Sequence, residues 1–307
     1  MRRAATTVVL VLLGCSGQPT VKTAPVDLSD LSAIESEDPP TASGEQRVDW
    51  AGIPPNRRRD VLDVLEATYC PACLCAESAA TCLTAGSPCG CRDCAEIMAR
   101  FVTESFRQGL SKDEVLDLSA KAWIQSFEQA PIAFDAQEQP SRGSGSIDVV
   151  EFADFTCAHC ARTAPVLEEL VDRRSDVRLV YFFHPRPTYE ASILSSEAAE
   201  EARVQGRFWT FAKELYAMAG RLSREEIVLA ATNVGLDRTA LTRALDDHRH
   251  RDTVMADKAV ARSAAVEGTP ALFVGGRPFV LPRTLANLEI WVDMEALRRQ
   301  CVGAGAN

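Results

Sequence analysis

Cys157 and Cys160 stand three apart around Ala158 and His159, in a chain of 307 residues with eleven cysteines. A Cys-x-x-Cys pair has three chemical uses: it closes and reopens as a disulfide, supplies half of a zinc site, or serves as an inert staple. Its surroundings bear on the choice. Residues 147–153 (IDVVEFA) are a β-rich run, and residues 161–173 carry Ala164, Leu167, Leu170 and Val171 at helical spacing. A strand ending before Cys157 and a helix opening after it put that thiol at a helix N-terminus, where unpaired N–H groups and the helix dipole favour a thiolate. Cys157 is then the attacking sulfur, and Cys160, one turn on, the resolving one. A hydrogen-bond-donating His159 between them would favour the thiolate further. For zinc, the C-terminal half offers only Cys301, His184, His248 and His250 besides, none in paired spacing.

The elements that must position the pair follow the same periodicities. Residues 177–183 (VRLVYFF) are a continuous apolar strand, so strand, helix and strand form a βαβ unit with parallel strands. Residues 191–266 read as helical throughout, punctuated by Gly206, Gly220 and Gly235, with a capping box at Ser223 and Glu226. Residues 271–274, the Gly275-Gly276 turn and residues 277–280 predict a β-hairpin, followed by a terminal helix over 285–298. Upstream, a short strand is expected at 132–134 and a loop from there to 146. The fold class is α/β.

Glu151-Phe152-Ala153-Asp154-Phe155-Thr156 before the pair, a helical insertion, and Gly268-Thr269-Pro270 before a strand resemble the DsbA-like branch of the thioredoxin superfamily. The resemblance covers about residues 131–298 and includes Gln205-Gly206-Arg207-Phe208-Trp209, similar to a packing motif of the inserted helices. It implies a thioredoxin fold with a helical insertion and thiol-disulfide exchange at Cys157 and Cys160. Glu151 matches the family's buried acid beneath the disulfide, implying proton transfer to or from Cys160. Thr269-Pro270 matches the family's cis peptide, which offers backbone groups to a substrate strand. The chain departs from a frequent family pattern in having Ala158 where proline is common.

Residues 48–130 predict a small helical, Cys-rich domain. Pro54 and Pro55 suit a helix start with Val61, Leu62 and Leu65 as its apolar stripe, a second helix runs about 91–108, and Gly109 ends it. Ser111 with Glu114 then caps a third helix carrying Val115, Leu116, Leu118 and Trp123. Seven cysteines fall between positions 70 and 94. The spacing of Cys70, Cys73, Cys91 and Cys94 fits a four-thiolate structural zinc site; structural disulfides and a second redox pair are the other readings. Cys70-x-x-Cys73, a helix and Gly109-Leu110-Ser111 are weakly similar to the CcmH-like domain of cytochrome c maturation. That resemblance implies the alternative function, a metal-handling or cytochrome-maturation thiol module maintained by the thioredoxin domain.

Arg2 and Arg3 before a short apolar stretch predict a signal peptide over residues 1–14. Leu12-Leu13-Gly14-Cys15 resembles a bacterial lipobox, implying lipidation at Cys15 and a place on the periplasmic side of the cell envelope. Ser16 after it favours the outer membrane. Residues 15–47, rich in Ser, Thr, Pro, Asp and Glu, predict a flexible tether, and the DsbA-like domain is expected over 131–301. A formal charge of -10 argues against nucleic acid as a partner. The expected partners are exported proteins with thiols or disulfides, a membrane redox protein that recycles the pair, and the membrane through its anchor. No cofactor is required for the exchange itself.

Overall fold

The computed structural model describes residues 47–72 and 76–304. The expected signal and Cys15 lie outside the described residues, as do nearly all of the tether and both Cys73 and Cys75. No described helix is long and apolar enough to cross a membrane.

Pro54 and Pro55 fix the backbone that leads through a 3-10 turn into α1 (Arg58–Ala67), which buries Val61, Val64 and Leu65. A five-residue helix, α2 (Ala79–Leu83), follows; Ser78 caps it by accepting from the Thr81 N–H at 3.2 Å. The amphipathic α3 (Arg92–Arg107) ends at Gly109, whose φ of +89° is the left-handed conformation that glycine adopts without strain. Ser111 and Glu114 form the reciprocal box that opens α4 (Lys112–Ser119): the Ser111 N–H donates to Glu114 Oε2 at 2.8 Å, and the Glu114 N–H to Ser111 Oγ at 3.3 Å. A π-helical turn (Ala120–Gln125) and the short α5 (Ser126–Glu128) complete this part. The turn buries Trp123, as the periodicity of α4 requires, but Leu116 and Leu118 are only half-buried.

Disulfides join Cys70 to Cys94 and Cys82 to Cys89, and Cys301 is also disulfide-bonded. The first pairing agrees with the reading of this region as disulfide-bonded, one of those the cysteine spacing left open. Sulfurs bonded to one another are no longer thiolates, so Cys70 and Cys94 are withdrawn as ligands. Among the described residues no cluster of His, Cys, Asp or Glu has the geometry of a metal site.

The second part is a five-stranded sheet in the order β1-β3-β2-β4-β5. At its centre β2 (Ile147–Ala153) runs parallel to β3 (Val177–Phe183) and antiparallel to β4 (Ala271–Val274). Six of the seven β2 residues are buried, as a central strand covered on both faces demands. α6 (Ala158–Arg173) crosses from β2 to β3 and packs Cys160, Thr163, Leu167 and Leu170, one helical stripe, onto the sheet. β1 (Ser141–Arg142) lies in the segment expected to be loop and adds an edge to β3. Residues 132–134 are not a strand; the Ile132 N–H reaches the Gly276 carbonyl at 2.8 Å instead. β5 (Arg277–Pro278) is shorter than expected. The turn before it needs glycine: a Cβ on Gly276, at φ +80°, would stand 2.3 Å from the Ile132 carbonyl oxygen.

Five helices lie between β3 and β4: α7 (Glu190–Val204), α8 (Phe208–Ala217), α9 (Arg224–Asn233), α10 (Arg238–Asp246) and α11 (Arg251–Ser263). The Gln205 to Trp209 motif turns α7 into α8. It places Phe208 against Tyr181, ring centroids 5.2 Å apart, and lets Trp209 Nε1 donate to the Ser141 carbonyl at 3.0 Å. The chain closes with α12 (Leu285–Ala304), whose Trp291 packs at a tilt against Trp123 with centroids 5.1 Å apart. One apolar cluster therefore runs without a break from the Cys-rich helices through α12 to the sheet.

Candidate active site

Cys157 is the N-cap of α6, reached from β2 by a short turn that its own side chains fix. Phe155 is buried, stacked on Tyr181 at 5.4 Å. Asp154 Oδ1 accepts from the Thr156 N–H at 2.8 Å and its hydroxyl at 2.7 Å, and the Cys157 N–H donates to the Asp154 carbonyl at 3.0 Å. The turn thus leaves Cys157 half-buried at the surface and Cys160 buried one turn below, both as free thiols.

The two sulfurs differ in acidity. Partial burial pushes the Cys157 thiol up, but hydrogen bonds from the Thr269 side chain, from Cys160 and from the His159 backbone outweigh it, leaving the thiol below its ordinary value. Thr269 acts in two senses. Its carbonyl accepts from Cys157 Sγ at 3.5 Å, which suits the thiol, whereas its side chain favours the thiolate. Cys160 is driven strongly upward by burial, then by the charge of Glu151. An acidified thiol at the surface and a protonated one beneath it result.

Glu151 stands on β2 opposite Tyr181 and Leu272, and is 2 % exposed. Burial pushes its pKa up to about 8, Cys157 adds to the rise, and Arg283 opposes it. Its Oε1 has no hydrogen-bond partner among the described residues. Beside it, between α6 and α8, lies a cavity of about 20 Å³ lined by Leu167, Tyr181, Trp209 and Tyr216, large enough for a single water. The Tyr216 and Tyr181 hydroxyls are 3.4 Å apart across it.

Thr269-Pro270 is a cis peptide. β4 begins at the next residue and pairs with β2, which carries the Thr269 carbonyl to Cys157. The fold thus brings together Cys157, Cys160, Glu151, Thr269 and Pro270. His159 is exposed at the first turn of α6, and the contribution seen from it at Cys157 is its backbone N–H rather than its ring. Cys15 and Cys73 lie outside the described residues, and Cys70 and Cys94 belong to the helical part.

Three groups at the rim had no local signal in the sequence. Arg186, in the loop after β3, donates to Thr156 Oγ1 at 2.9 Å and lies 3.5 Å from Asp154 Oδ2. Lys258 of α11 donates to the Pro185 carbonyl at 2.9 Å. Arg283, before α12, donates to the Pro270 carbonyl at 2.8 Å.

A thioredoxin family profile matches residues 142–294. This segment belongs to the thioredoxin family. Within this segment the Cys157 and Cys160 thiols sit at the head of α6, and five inserted helices lie between β3 and β4.

Curated relatives share part of the same stretch. The Na(+)/H(+) antiporter NhaA 3 of Salinispora tropica is 33% identical over 132 residues, which cover 43% of this chain and 20% of the antiporter. The antiporter NhaA of Herminiimonas arsenicoxydans is 27% identical over 169 residues, 53% of this chain and 27% of that one. The chain thus spans only about a fifth to a quarter of the length of these relatives. Among solved structures, a thioredoxin-like oxidoreductase from Silicibacter pomeroyi is similar at 28% identity and a TM-score of 0.47, over 53% of this chain and 94% of that one. Oxidised BdbD from Bacillus subtilis gives 19% and 0.47, over 54% and 95%.

Proposed function

We propose that the chain exchanges disulfides with exported proteins on the outer side of the membrane, held there by a lipid on Cys15. The Cys157 thiolate attacks a partner disulfide; one partner sulfur leaves as a thiolate and the other is joined to Cys157. The carboxylate form of Glu151, which gains population as pH approaches about 8, takes the proton of Cys160, and Cys160 attacks Cys157 Sγ, which breaks the mixed disulfide and releases the second partner thiolate. The partner has gained two electrons, and Cys157 and Cys160 are joined. Run backwards, the same steps oxidise a partner dithiol. The carrying observation is the asymmetry of the pair: an accessible, acidified sulfur at the head of α6 over a buried, protonated one beside Glu151. Thr269-Pro270 serves as the edge on which the partner's chain aligns. No cofactor takes part, because both electrons pass between sulfurs.

The surroundings support an exported setting. Disulfides Cys70–Cys94 and Cys82–Cys89 belong to an oxidising compartment rather than to a reducing cytosol. Cys160→Ala tests the proposal: without the resolving thiol, partners should accumulate on Cys157 as mixed disulfides that thiol reductants release and that Cys157→Ser abolishes. If no protein is trapped by Cys160→Ala in cells that express the full chain, the proposal fails.

A further inference from the structure

Cations hold the main chain around Cys157. Arg186 binds Thr156, the residue before the nucleophile, and its guanidinium lies over the Tyr189 ring at 4.4 Å. Lys258 binds the carbonyl of Pro185, the residue before Arg186, and Arg283 binds the Pro270 carbonyl, one residue after the Thr269 carbonyl that Cys157 Sγ contacts. Burial and then the charge of Arg262 lower the Lys258 pKa, and Asp154 opposes them. Arg186, Arg262 and Arg283 are all exposed. Three acids lie against this set: buried Asp154, which pairs with Arg186; Glu151, which faces Arg283 and is pushed by burial toward its protonated form; and exposed Glu267, two residues before Thr269. The four cations outnumber these acids and leave the rim positive, on a chain whose formal charge is -10.

We propose that this basic rim selects partner segments with acidic residues beside the reacting cysteine. The inference rests on the thiol-disulfide reading above and names its preferred substrate class. An acidic strand laid along Thr269-Pro270 toward Cys157 passes Arg283, bound at Pro270, and Arg186, bound at Thr156. An extended peptide puts a residue every 3.3 Å or so, so side chains within one or two positions of its cysteine reach both arginines. The rest of the molecule repels such a segment, and the positive patch therefore specifies where it docks as well as how fast. A protein segment fits better than an anionic membrane surface, because Arg186 and Arg283 are bound to Thr156 and Pro270, the segments that carry the reacting sulfur and its cis peptide.

The test uses the full chain and three disulfide probes: a peptide disulfide flanked by Asp and Glu, the same peptide with Lys in those places, and uncharged bis(2-hydroxyethyl) disulfide. At low ionic strength the acidic peptide should react about ten-fold faster than the basic one, and the ratio should fall toward one in about 0.5 M salt. Arg186→Gln and Arg283→Gln should each lower that ratio, and Glu267→Gln should raise it. The ratio is insensitive to a general loss of activity, so a poorly folded variant does not imitate the effect. A ratio near one at low salt, with normal exchange on the uncharged probe, overturns the acidic-partner inference alone. Failure on the uncharged probe overturns the oxidoreductase reading with it. Binding to phosphatidylglycerol vesicles that the same variants abolish, with no peptide discrimination, would assign the rim to the membrane and overturn the inference.

Discussion

At the scale of single residues, Glu151 is the group whose titration reaches furthest. It is buried on the central strand, with its pKa lifted from 4.5 to about 8, so the folded protein keeps a proton that the unfolded chain gives up. The sign follows: this contribution to stability is full below the unfolded pKa and is lost as pH rises toward about 8. Glu151→Gln does not titrate. Its stability relative to wild type should climb between pH 5 and pH 8 by on the order of a few kcal/mol, then level off. Urea denaturation of the reduced protein across that range checks it; a flat difference would mean that the carboxyl is not held protonated by its burial. The same variant should slow resolution of the mixed disulfide by about 100-fold, read by stopped-flow, because the buried Cys160 loses its nearest proton acceptor. An alanine at Cys157 would abolish exchange outright, whereas His159→Ala is expected to change it by less than about ten-fold, since the backbone N–H it retains is the group that reaches the sulfur.

At the scale of elements, what the sequence made legible depended on how many residues carried the pattern. β2, α6 and β3 show their periodicity over seven to sixteen residues, and they fix the Cys157 turn. β1 has two residues, too few for any alternation, and exists because β3 and Trp209 take up its backbone groups. The five residues of α2 are likewise too few to declare a helix, and the π-helical turn after α4 is set by burying Trp123 against Phe101 and Trp291. At the site, the βαβ pattern and the DsbA-like resemblance pointed to Glu151, Cys157, Cys160, Thr269 and Pro270. Arg186, Lys258 and Arg283 escaped because each arrives from a separate loop or helix and binds a carbonyl or hydroxyl, which leaves no motif. The cysteine spacing was compatible with both zinc and disulfides, and tertiary placement decided it by bringing Cys70 to Cys94 at the head of α3. That bond closes a loop of 24 residues. Replacing both cysteines with serine should cost about 3 kcal/mol in urea denaturation under oxidising conditions, and little once the wild type is itself reduced.

At the scale of the whole molecule, the Cys-rich helices and the thioredoxin domain share their apolar core through α12. Trp291 meets Trp123 at 5.1 Å and Phe279 at 5.1 Å, one from each side. Cys94 Sγ lies 3.8 Å from Met294 Sδ, and Asp293 binds Arg100 of α3 at 2.5 Å and Arg174 of the sheet layer at 2.6 Å. The face of α12 that carries Trp291 and Met294 therefore has no water-compatible state without α3 and the π-helical turn. A chain begun at residue 131, where the composition changes, would expose that face and should associate or precipitate, even though it holds every group of the Cys157 site. In the intact chain, the shared core makes unfolding a single event: near-ultraviolet signals from the tryptophans and the reactivity of Cys160 should be lost at one denaturant concentration. Trp123→Ala and Trp291→Ala, which remove opposite halves of one contact, should be non-additive by about 1 kcal/mol or more. Two separated transitions, or strict additivity of the two substitutions, would mean that the helical part folds independently of the domain that carries the dithiol. A single one ties the stability of the redox site to the disulfide-bonded helices, so that reducing Cys70–Cys94 lowers the unfolding midpoint of the Cys157 site with no contact between them.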